Sequence, residues 1–234
     1  MKIALAQLNP IVGDIGGNTK NIIHLIKKTK ADIIAFPELS VTGYSPQDLL
    51  LKNNFIDKSM NALKKIVKNT KNKTAIVGFI ERAYGNLYNS AAVIRNQQII
   101  AIHHKICLPN YTIFDEKRWF KEGHEPKIFS LKGKIFGISI CEDIWFPETT
   151  RNQKSKGAEL IINISASPYR KGKVELIENI VKQRWEENKI PIIYVNQVGA
   201  QDGIVYYGHS MYFNNGKIIK KCKDFEEEIL IVEI

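Results

Sequence analysis

Short apolar runs of strand-like composition alternate along the chain with helical patterns. The strand-like runs fall at residues 3–8, 33–36, 74–79, 88–95, 98–104, 135–140, 160–164, 192–195, 210–213, 217–220 and 229–232. Helical patterns begin near Asn18, its expected N-cap, and cover about 58–69 and 174–188. Such a mixture of helix-linked and hairpin-linked strands predicts an α/β or α+β protein with mixed sheets. Because no linker, repeat or low-complexity segment interrupts the pattern, we expect one domain over residues 1–234.

Composition excludes several classes of protein. At 234 residues, with 44% hydrophobic and 25% charged residues, the chain is long enough for a sizeable core and ordinary for a soluble protein. No apolar run approaches the roughly 18 residues of a membrane span, and the first apolar stretch is too short for a signal peptide. Cys107, Cys141 and Cys222 form no CxxC pair, which favours a reducing compartment. We therefore expect a cytoplasmic protein that contacts no membrane.

The formal net charge of +10 raises the question of an anionic partner. The basic residues are dispersed over the polar faces of predicted helices, and aromatic residues are not interleaved with them as stacking platforms. We therefore expect no nucleic-acid binding. The sequence contains no HExxH, no Cys/His cluster at ligand spacing and no glycine-rich phosphate loop, so we expect neither a metal nor another cofactor.

Three polar residues follow three separate strand-like runs. Glu38 follows residues 33–36, Lys105 follows 98–104 and Cys141 follows 135–140. In α/β sheets, clefts form where strands end, so these side chains could converge. An ammonium beside a thiol would depress its pKa, and a carboxylate could carry its proton. Taken singly, however, each residue also fits a structural role: a core cysteine, a helix-capping glutamate and a solvated lysine.

Three blocks around these residues resemble the signature blocks of the nitrilase superfamily: 36–44 (FPELSVTGY), 105–111 (KICLPNY) and 140–145 (ICEDIW). Within that superfamily they look most like the glutaminase domain of glutamine-dependent NAD synthetases. Four further segments carry the same likeness: 45–50, 114–118, 163–169 and 194–202. The resemblance covers nearly the whole chain.

This resemblance implies a four-layer α-β-β-α sandwich and an amidase reaction with a Glu–Lys–Cys triad. By residue-by-residue correspondence, Cys141 would be the nucleophile, Glu38 the general base and Lys105 the group that stabilises the oxyanion. Glu116 matches the second glutamate of the superfamily, which positions the substrate or the lysine. A surface charge is the alternative interpretation of Glu116.

Four residues match positions that line the glutamine pocket of the related synthetases: Tyr111, Glu142, Ser167 and Lys173. A free amino acid presents an ammonium and a carboxylate, so Glu142 would suit the former and Lys173 the latter. Neighbouring residues remain open as alternatives: Arg170 or Lys171 for Lys173, and Ser165 for Ser167.

Two departures from the synthetase pattern bear on function. No Ser-Gly-Gly-x-Asp-Ser nucleotide loop follows the last strand, so we expect the chain not to make NAD itself but to supply ammonia to an NAD synthetase subunit or domain. Residues 207–210 read Tyr-Gly-His-Ser where the relatives usually carry Asp-Gly-x-Ser, which suggests a different partner surface. The alternatives are a free-standing amidase for another small amide and a non-catalytic basic module. Since superfamily members commonly dimerise, we expect a homodimer.

Overall fold

The computed structural model describes all residues from Met1 to Ile234. The strands are β1 (Lys2–Gln7), β2 (Ile33–Ala35), β3 (Thr74–Ala83), β4 (Asn86–Arg95), β5 (Gln98–His104), β6 (Ile128–Leu131), β7 (Lys134–Ile140), β8 (Leu160–Ser165), β9 (Ile192–Asn196), β10 (Val198–Gln201), β11 (Ile204–Tyr207), β12 (Met211–Asn214), β13 (Lys217–Lys221) and β14 (Glu228–Glu233). The α-helices are α1 (Ile15–Lys28), α2 (Asn53–Asn69), α3 (Glu116–Trp119), α4 (Pro147–Ser155) and α5 (Lys173–Asn188). Two 3₁₀ turns cover Gln47–Leu51 and Cys141–Ile144. None of the helices combines the length and the apolar character needed to cross a bilayer.

Twelve of the strands form two six-stranded sheets, with spatial orders β14-β1-β2-β3-β4-β5 and β13-β12-β9-β8-β7-β6. In the first sheet β1, β2 and β3 run parallel, and the remaining pairs are antiparallel. The second sheet repeats this plan, with β7, β8 and β9 parallel at its centre. The central strands are buried on both faces, which accounts for their continuous isoleucine-rich runs.

The two sheets pack face to face across a shared apolar core. Residues of both sheets contribute to it, among them Leu5 and Val93 from the first and Phe136 and Ile162 from the second. The helices α1 and α2 cover the outer face of the first sheet, while α5 covers that of the second. These layers confirm the four-layer α-β-β-α sandwich that the resemblance predicts.

Local details differ from the sequence-based expectations. Asp14, not Asn18, caps α1: its carboxylate accepts from the Gly17 N–H at 2.8 Å. Asn18 instead lies inside the helix, where its side-chain amide exchanges hydrogen bonds with the Ile11 backbone. Helix α2 begins at Asn53, five residues earlier than predicted, and the hairpin β10–β11 was not expected at all. The expected N-cap was wrong because Asn18 serves a tertiary contact, which local spacing does not reveal.

Candidate active site

The predicted site residues stand just beyond the ends of strands. Glu38 lies three residues after β2, Lys105 directly follows β5, and Cys141 directly follows β7 as the first residue of its 3₁₀ turn. The Lys105 backbone N–H donates to the Asn89 carbonyl of β4 at 2.8 Å, which continues the pairing of β4 with β5. Cys141 has a φ of 45°, in the left-handed region that non-glycine residues seldom occupy. Such sharp strand-to-helix turns present a side chain at the edge of a sheet.

Lys105 is enclosed by two carboxylates. Its Nζ lies 2.7 Å from Glu38 Oε1 and 2.7 Å from Glu116 Oε1. The side chains of Lys105 and Glu38 have no exposed surface, and Glu116 is 3% exposed. Tyr44 adds a second donor to Glu116, since its hydroxyl lies 2.6 Å from the same Oε1. Glu116 is therefore part of a buried ionic cluster and not the surface charge of the alternative interpretation.

Burial and charge act in opposite directions in this cluster. Burial alone would lower the pKa of Lys105, but the charges of Glu116 and Glu38 outweigh it and hold that pKa well above its usual value. Burial raises the pKa of Glu116 from 4.5 to about 7, even though Lys105 favours the charged form. Lys105 is thus a permanent cation, while Glu116 titrates near neutrality.

Both oxygens of Glu38 have hydrogen-bond donors. Besides Lys105, the side-chain amide of Asn89 donates to Oε1 at 2.7 Å. The backbone N–H of Ala166 donates to Oε2 at 2.9 Å, and Ala166 directly follows β8 of the opposite sheet. Donors from both sheets therefore fix the orientation of this carboxylate.

Cys141 is buried, with 8% of its surface exposed. Burial, followed by the charge of Glu38, raises the pKa of its thiol well above the ordinary value, and Lys105 offsets this only in part. Lys105 thus acts in the expected direction, but the expectation of a depressed thiol pKa is wrong, because burial and Glu38 outweigh the lysine. A neutral thiol beside carboxylates can become a nucleophile only if its proton leaves as the new bond forms.

A cavity of about 650 Å³ has Trp145 in its wall, the residue directly after the 3₁₀ turn that begins with Cys141. Its walls include Tyr111, Phe114, Trp145, Tyr169, Arg170 and Lys173. At its rim the hydroxyl of Tyr111 donates to Glu142 Oε2 at 2.7 Å, and partial burial raises the pKa of Glu142. The ammonium of Lys173 lies 4.0 Å from the centre of the Trp145 ring, a cation–π geometry. A cationic group, Lys173, thus lies in the cavity wall, and an anionic group, Glu142, is hydrogen-bonded to Tyr111 of that wall.

The structure distinguishes among the residues left open as alternatives. Lys173 is 6% exposed and its pKa is lowered by burial, whereas Arg170 and Lys171 are exposed. The Ser165 hydroxyl donates to Asn163 Oδ1 at 2.7 Å, deep in the second sheet. Ser167 is also buried and is held through its backbone N–H, which donates to Asn196 Oδ1 at 2.8 Å. Lys173 is therefore the basic residue best enclosed by the cavity.

Sequence reasoning assigned no role to Tyr44, Asn89 or Trp145. Tyr44 stands in the 36–44 block and Trp145 in the 140–145 block, so their positions beside the key residues were a usable signal. Asn89 carried none, because it lies in the middle of β4 and reaches Glu38 across 51 positions of sequence. No group of three or more His, Cys, Asp or Glu side chains is arranged to hold a metal ion.

Comparison with known proteins places the chain among close relatives. It is 42% identical to the glutamine-dependent NAD(+) synthetase of Aquifex aeolicus and 38% identical to that of Thermotoga maritima, in each case over 100% of this chain and 42% of the relative. The chain thus spans less than half the length of these relatives.

Solved structures give the same result. A glutamine-dependent NAD+ synthetase from Acinetobacter baumannii superposes with a TM-score of 0.94 at 37% identity, over 98% of this chain and 44% of that one. An amidase from Nesterenkonia sp. shares the fold, with a TM-score of 0.89 at 23% identity over 100% of this chain and 90% of the amidase. The family model for carbon-nitrogen hydrolases matches residues 2–234. This protein therefore belongs to the carbon-nitrogen hydrolase family.

Proposed function

We propose that the chain hydrolyses the side-chain amide of glutamine through a thioester on Cys141 and supplies the ammonia to an NAD synthetase subunit or domain. The observation that carries this proposal is the buried cluster of Lys105, Glu38 and Glu116, whose charges act on the buried thiol of Cys141.

In the first half-reaction, Cys141 Sγ attacks the amide carbon of glutamine while its proton passes to Glu38. The carbonyl oxygen becomes an oxyanion, which the Lys105 ammonium stabilises. When the tetrahedral intermediate collapses, the C–N bond breaks and Glu38 returns the proton to the leaving nitrogen. Ammonia departs and a thioester joins Cys141 to the glutamyl group.

In the second half-reaction, water attacks the thioester carbon. Glu38 takes one proton from the water as the new C–O bond forms, and the C–S bond breaks. The proton returns to the sulfur, so glutamate leaves and the neutral thiol is restored. Glu116 holds Lys105 in place throughout, because its Oε1 accepts a hydrogen bond from the ammonium in addition to the one that Glu38 accepts.

The cavity matches the two charged ends of an amino acid. Glu142, with Tyr111 bonded to it, would bind the substrate ammonium, and Lys173 would bind the carboxylate. Ser167 remains a further substrate-binding candidate, since it is the buried residue directly before Pro168 of the cavity wall. The substrate ammonium would also add a positive charge to those of Lys105 and Lys173, which already act on the Cys141 thiol. The activity for which the relatives are named, glutamine-dependent NAD synthesis, supports both the substrate and the use of the ammonia.

A glutamine-analogue electrophile tests nucleophile and substrate together. We expect mass spectrometry to find one adduct, on Cys141, whose formation excess glutamine suppresses. The matched controls are Cys141→Ala, which should take no label, and Cys222→Ala, which should be labelled like the wild type because Cys222 lies in the C-terminal segment. Labelling that glutamine does not suppress would contradict glutamine as substrate.

The coupling to NAD synthesis needs its own test. An ammonia-dependent NAD synthetase is added to the chain with glutamine as the sole nitrogen source, and NAD formation is measured. We expect NAD to form with the wild-type chain and not with Cys141→Ala. A panel of small amides completes the experiment, and a higher kcat/KM for an amide other than glutamine would favour the free-standing amidase.

A further inference from the structure

Asp143 is a fully buried carboxylate two residues after Cys141. Its two oxygens face four nitrogen atoms at hydrogen-bonding distance, which is an unusual concentration of donors on one side chain. We propose that Asp143 is a positioning residue. It fixes the position of Lys105, which stabilises the oxyanion and follows a strand of the first sheet, relative to the nucleophile Cys141, which follows a strand of the second. We call the hydrogen bonds between Asp143 and these four nitrogen atoms the brace. The kinetic consequence of this inference rests on the proposed function, whereas the brace rests on geometry alone.

One oxygen holds the chain that carries Lys105. Asp143 Oδ1 accepts from the backbone N–H of Ile106 at 2.9 Å and from that of Cys107 at 2.8 Å. These are the two peptide units directly after Lys105, and they belong to the segment that leaves β5 of the first sheet. The direction in which the Lys105 backbone leaves its strand is therefore set by this carboxylate.

The other oxygen holds the start of the turn that carries Cys141. Asp143 Oδ2 accepts from the Ile140 backbone N–H at 2.9 Å. The same Oδ2 lies 2.8 Å from Nε2 of His103, which lies within β5. Asp143 thus joins residues on both sides of Lys105 to Ile140, the residue directly before Cys141.

The contacts define the charge state of the brace. Three of the four donors are backbone N–H groups, which can only donate, so Asp143 acts as an acceptor on both oxygens, as a carboxylate ion does. Nδ1 of His103 is buried without a partner. An imidazolium would leave an N–H unpaired there, so the neutral Nε2–H tautomer fits. A carboxylate held by peptide dipoles therefore needs no cation of its own and leaves Lys105 free for Glu38 and Glu116.

Asp143→Asn is the most informative variant because it keeps the shape of the side chain and replaces one acceptor oxygen with an NH₂ donor. Its Oδ1 can still accept from Ile106 and Cys107, but its NH₂ group would face the Ile140 N–H. We expect faster amide hydrogen exchange at Ile140, and in Asp143→Ala also at Ile106 and Cys107. Glutamine hydrolysis by Asp143→Asn should fall at least about tenfold in kcat, with KM changed less than about threefold, because misplacement of reacting groups costs rate more than binding.

Two comparisons separate positioning from general loss of folding. The kcat is expressed per site labelled by the glutamine-analogue electrophile, so that unfolded molecules are not counted. The matched control is Asp57→Asn, a change at an exposed residue of α2, which should leave kcat unchanged. His103→Gln, which keeps an N–H near the position of Nε2, should retain more activity than His103→Ala. Wild-type kcat per labelled site in Asp143→Asn, or unchanged exchange in Asp143→Ala, would overturn the brace. If the wild type failed to hydrolyse glutamine, the proposed function would fall while hydrogen exchange still decided on Asp143.

Discussion

The Nζ atom of Lys105 lies 2.7 Å from Oε1 of Glu38, and neither side chain reaches the protein surface. The proposed base and the proposed oxyanion donor are therefore bonded to each other before substrate arrives. Lys105 stays protonated, whereas the pKa of Glu116 is about 7. The net charge of the cluster near neutral pH therefore depends on whether Glu116 is protonated. The cluster therefore gains a negative charge as the pH rises through neutrality.

This titration makes stability depend on pH. The pKa of Glu116 is raised from 4.5 to about 7 in the folded protein, so the stability that its protonated form contributes is complete below about 4.5 and is lost as the pH rises through about 7. We expect the unfolding free energy of the wild type to fall relative to Glu116→Gln over this window. Urea unfolding measured in half-unit steps of pH would show the slope. The exposed Glu122→Gln should follow the wild type, and a constant difference between wild type and Glu116→Gln would contradict the prediction.

Gly78 leaves the space through which the Glu38 segment passes. A Cβ at Gly78 would lie 2.6 Å from the Pro37 carbonyl oxygen and would also collide with the Leu39 backbone. We expect Gly78→Ala to push Glu38 away from Lys105, to reduce kcat by more than about tenfold and to destabilise the fold by about 1–3 kcal/mol. Glutamine hydrolysis and thermal unfolding measure the two effects.

The control for Gly78 is Gly16, a glycine in α1 whose added Cβ would approach no atom closer than 3.8 Å. Gly16→Ala should keep full activity and gain about 0.5–1 kcal/mol, because alanine is the better helix former. Equal activity of the two variants would show that the Glu38 segment tolerates displacement.

Tyr111 orients the acid that would bind the substrate ammonium. Tyr111→Phe removes a 2.7 Å hydrogen bond to Glu142 and little else. A bond of this kind contributes about 0.5–1.5 kcal/mol, so we expect KM for glutamine to rise roughly 2- to 12-fold with kcat nearly unchanged. Steady-state kinetics provide the test. A fall in kcat without a change in KM would place Tyr111 in the chemical step instead.

Lys173 and Lys171 are a natural pair for testing the carboxylate site. Lys173 is buried over the Trp145 ring, whereas Lys171 is exposed. We expect Lys173→Met to raise KM for glutamine by at least about tenfold, since a hydrogen bond to a charged group is worth about 1.5–3 kcal/mol. Lys171→Met should change KM less than about twofold. The reverse order would assign the carboxylate to the exposed lysine.

The elements of the fold could be predicted because their signals are local. Runs such as residues 160–164 and 192–195 are isoleucine-rich, and they become the doubly buried strands β8 and β9. Strand ends also indicated where Glu38, Lys105 and Cys141 lie, since clefts form at the ends of strands. The pairing of strands into two sheets came from the family resemblance and not from these local patterns.

What the sequence did not predict depends on contacts between distant residues. The bond between Tyr44 and Glu116 joins residues 72 positions apart, and nothing in their immediate surroundings indicates it. The raised pKa of the Cys141 thiol has a similar origin: burial and the charge of Glu38 raise it more than Lys105 lowers it, and this balance is not visible in the sequence around Cys141. Such sums require the packed structure.

The pairing of β14 with β1 has a consequence for how the protein matures. The first sheet, which supplies Glu38 and Lys105, is completed on one side by residues 228–233, whose register runs from Lys2 opposite Glu233 to Gln7 opposite Glu228. A growing chain therefore carries both residues long before the neighbour of β1 has been synthesised, and until then β1 presents an open edge to other chains. The sheet that carries Glu38 and Lys105 is accordingly complete only after residues 228–233 have been synthesised, and a protease that removed β14 would disrupt the site from a distance.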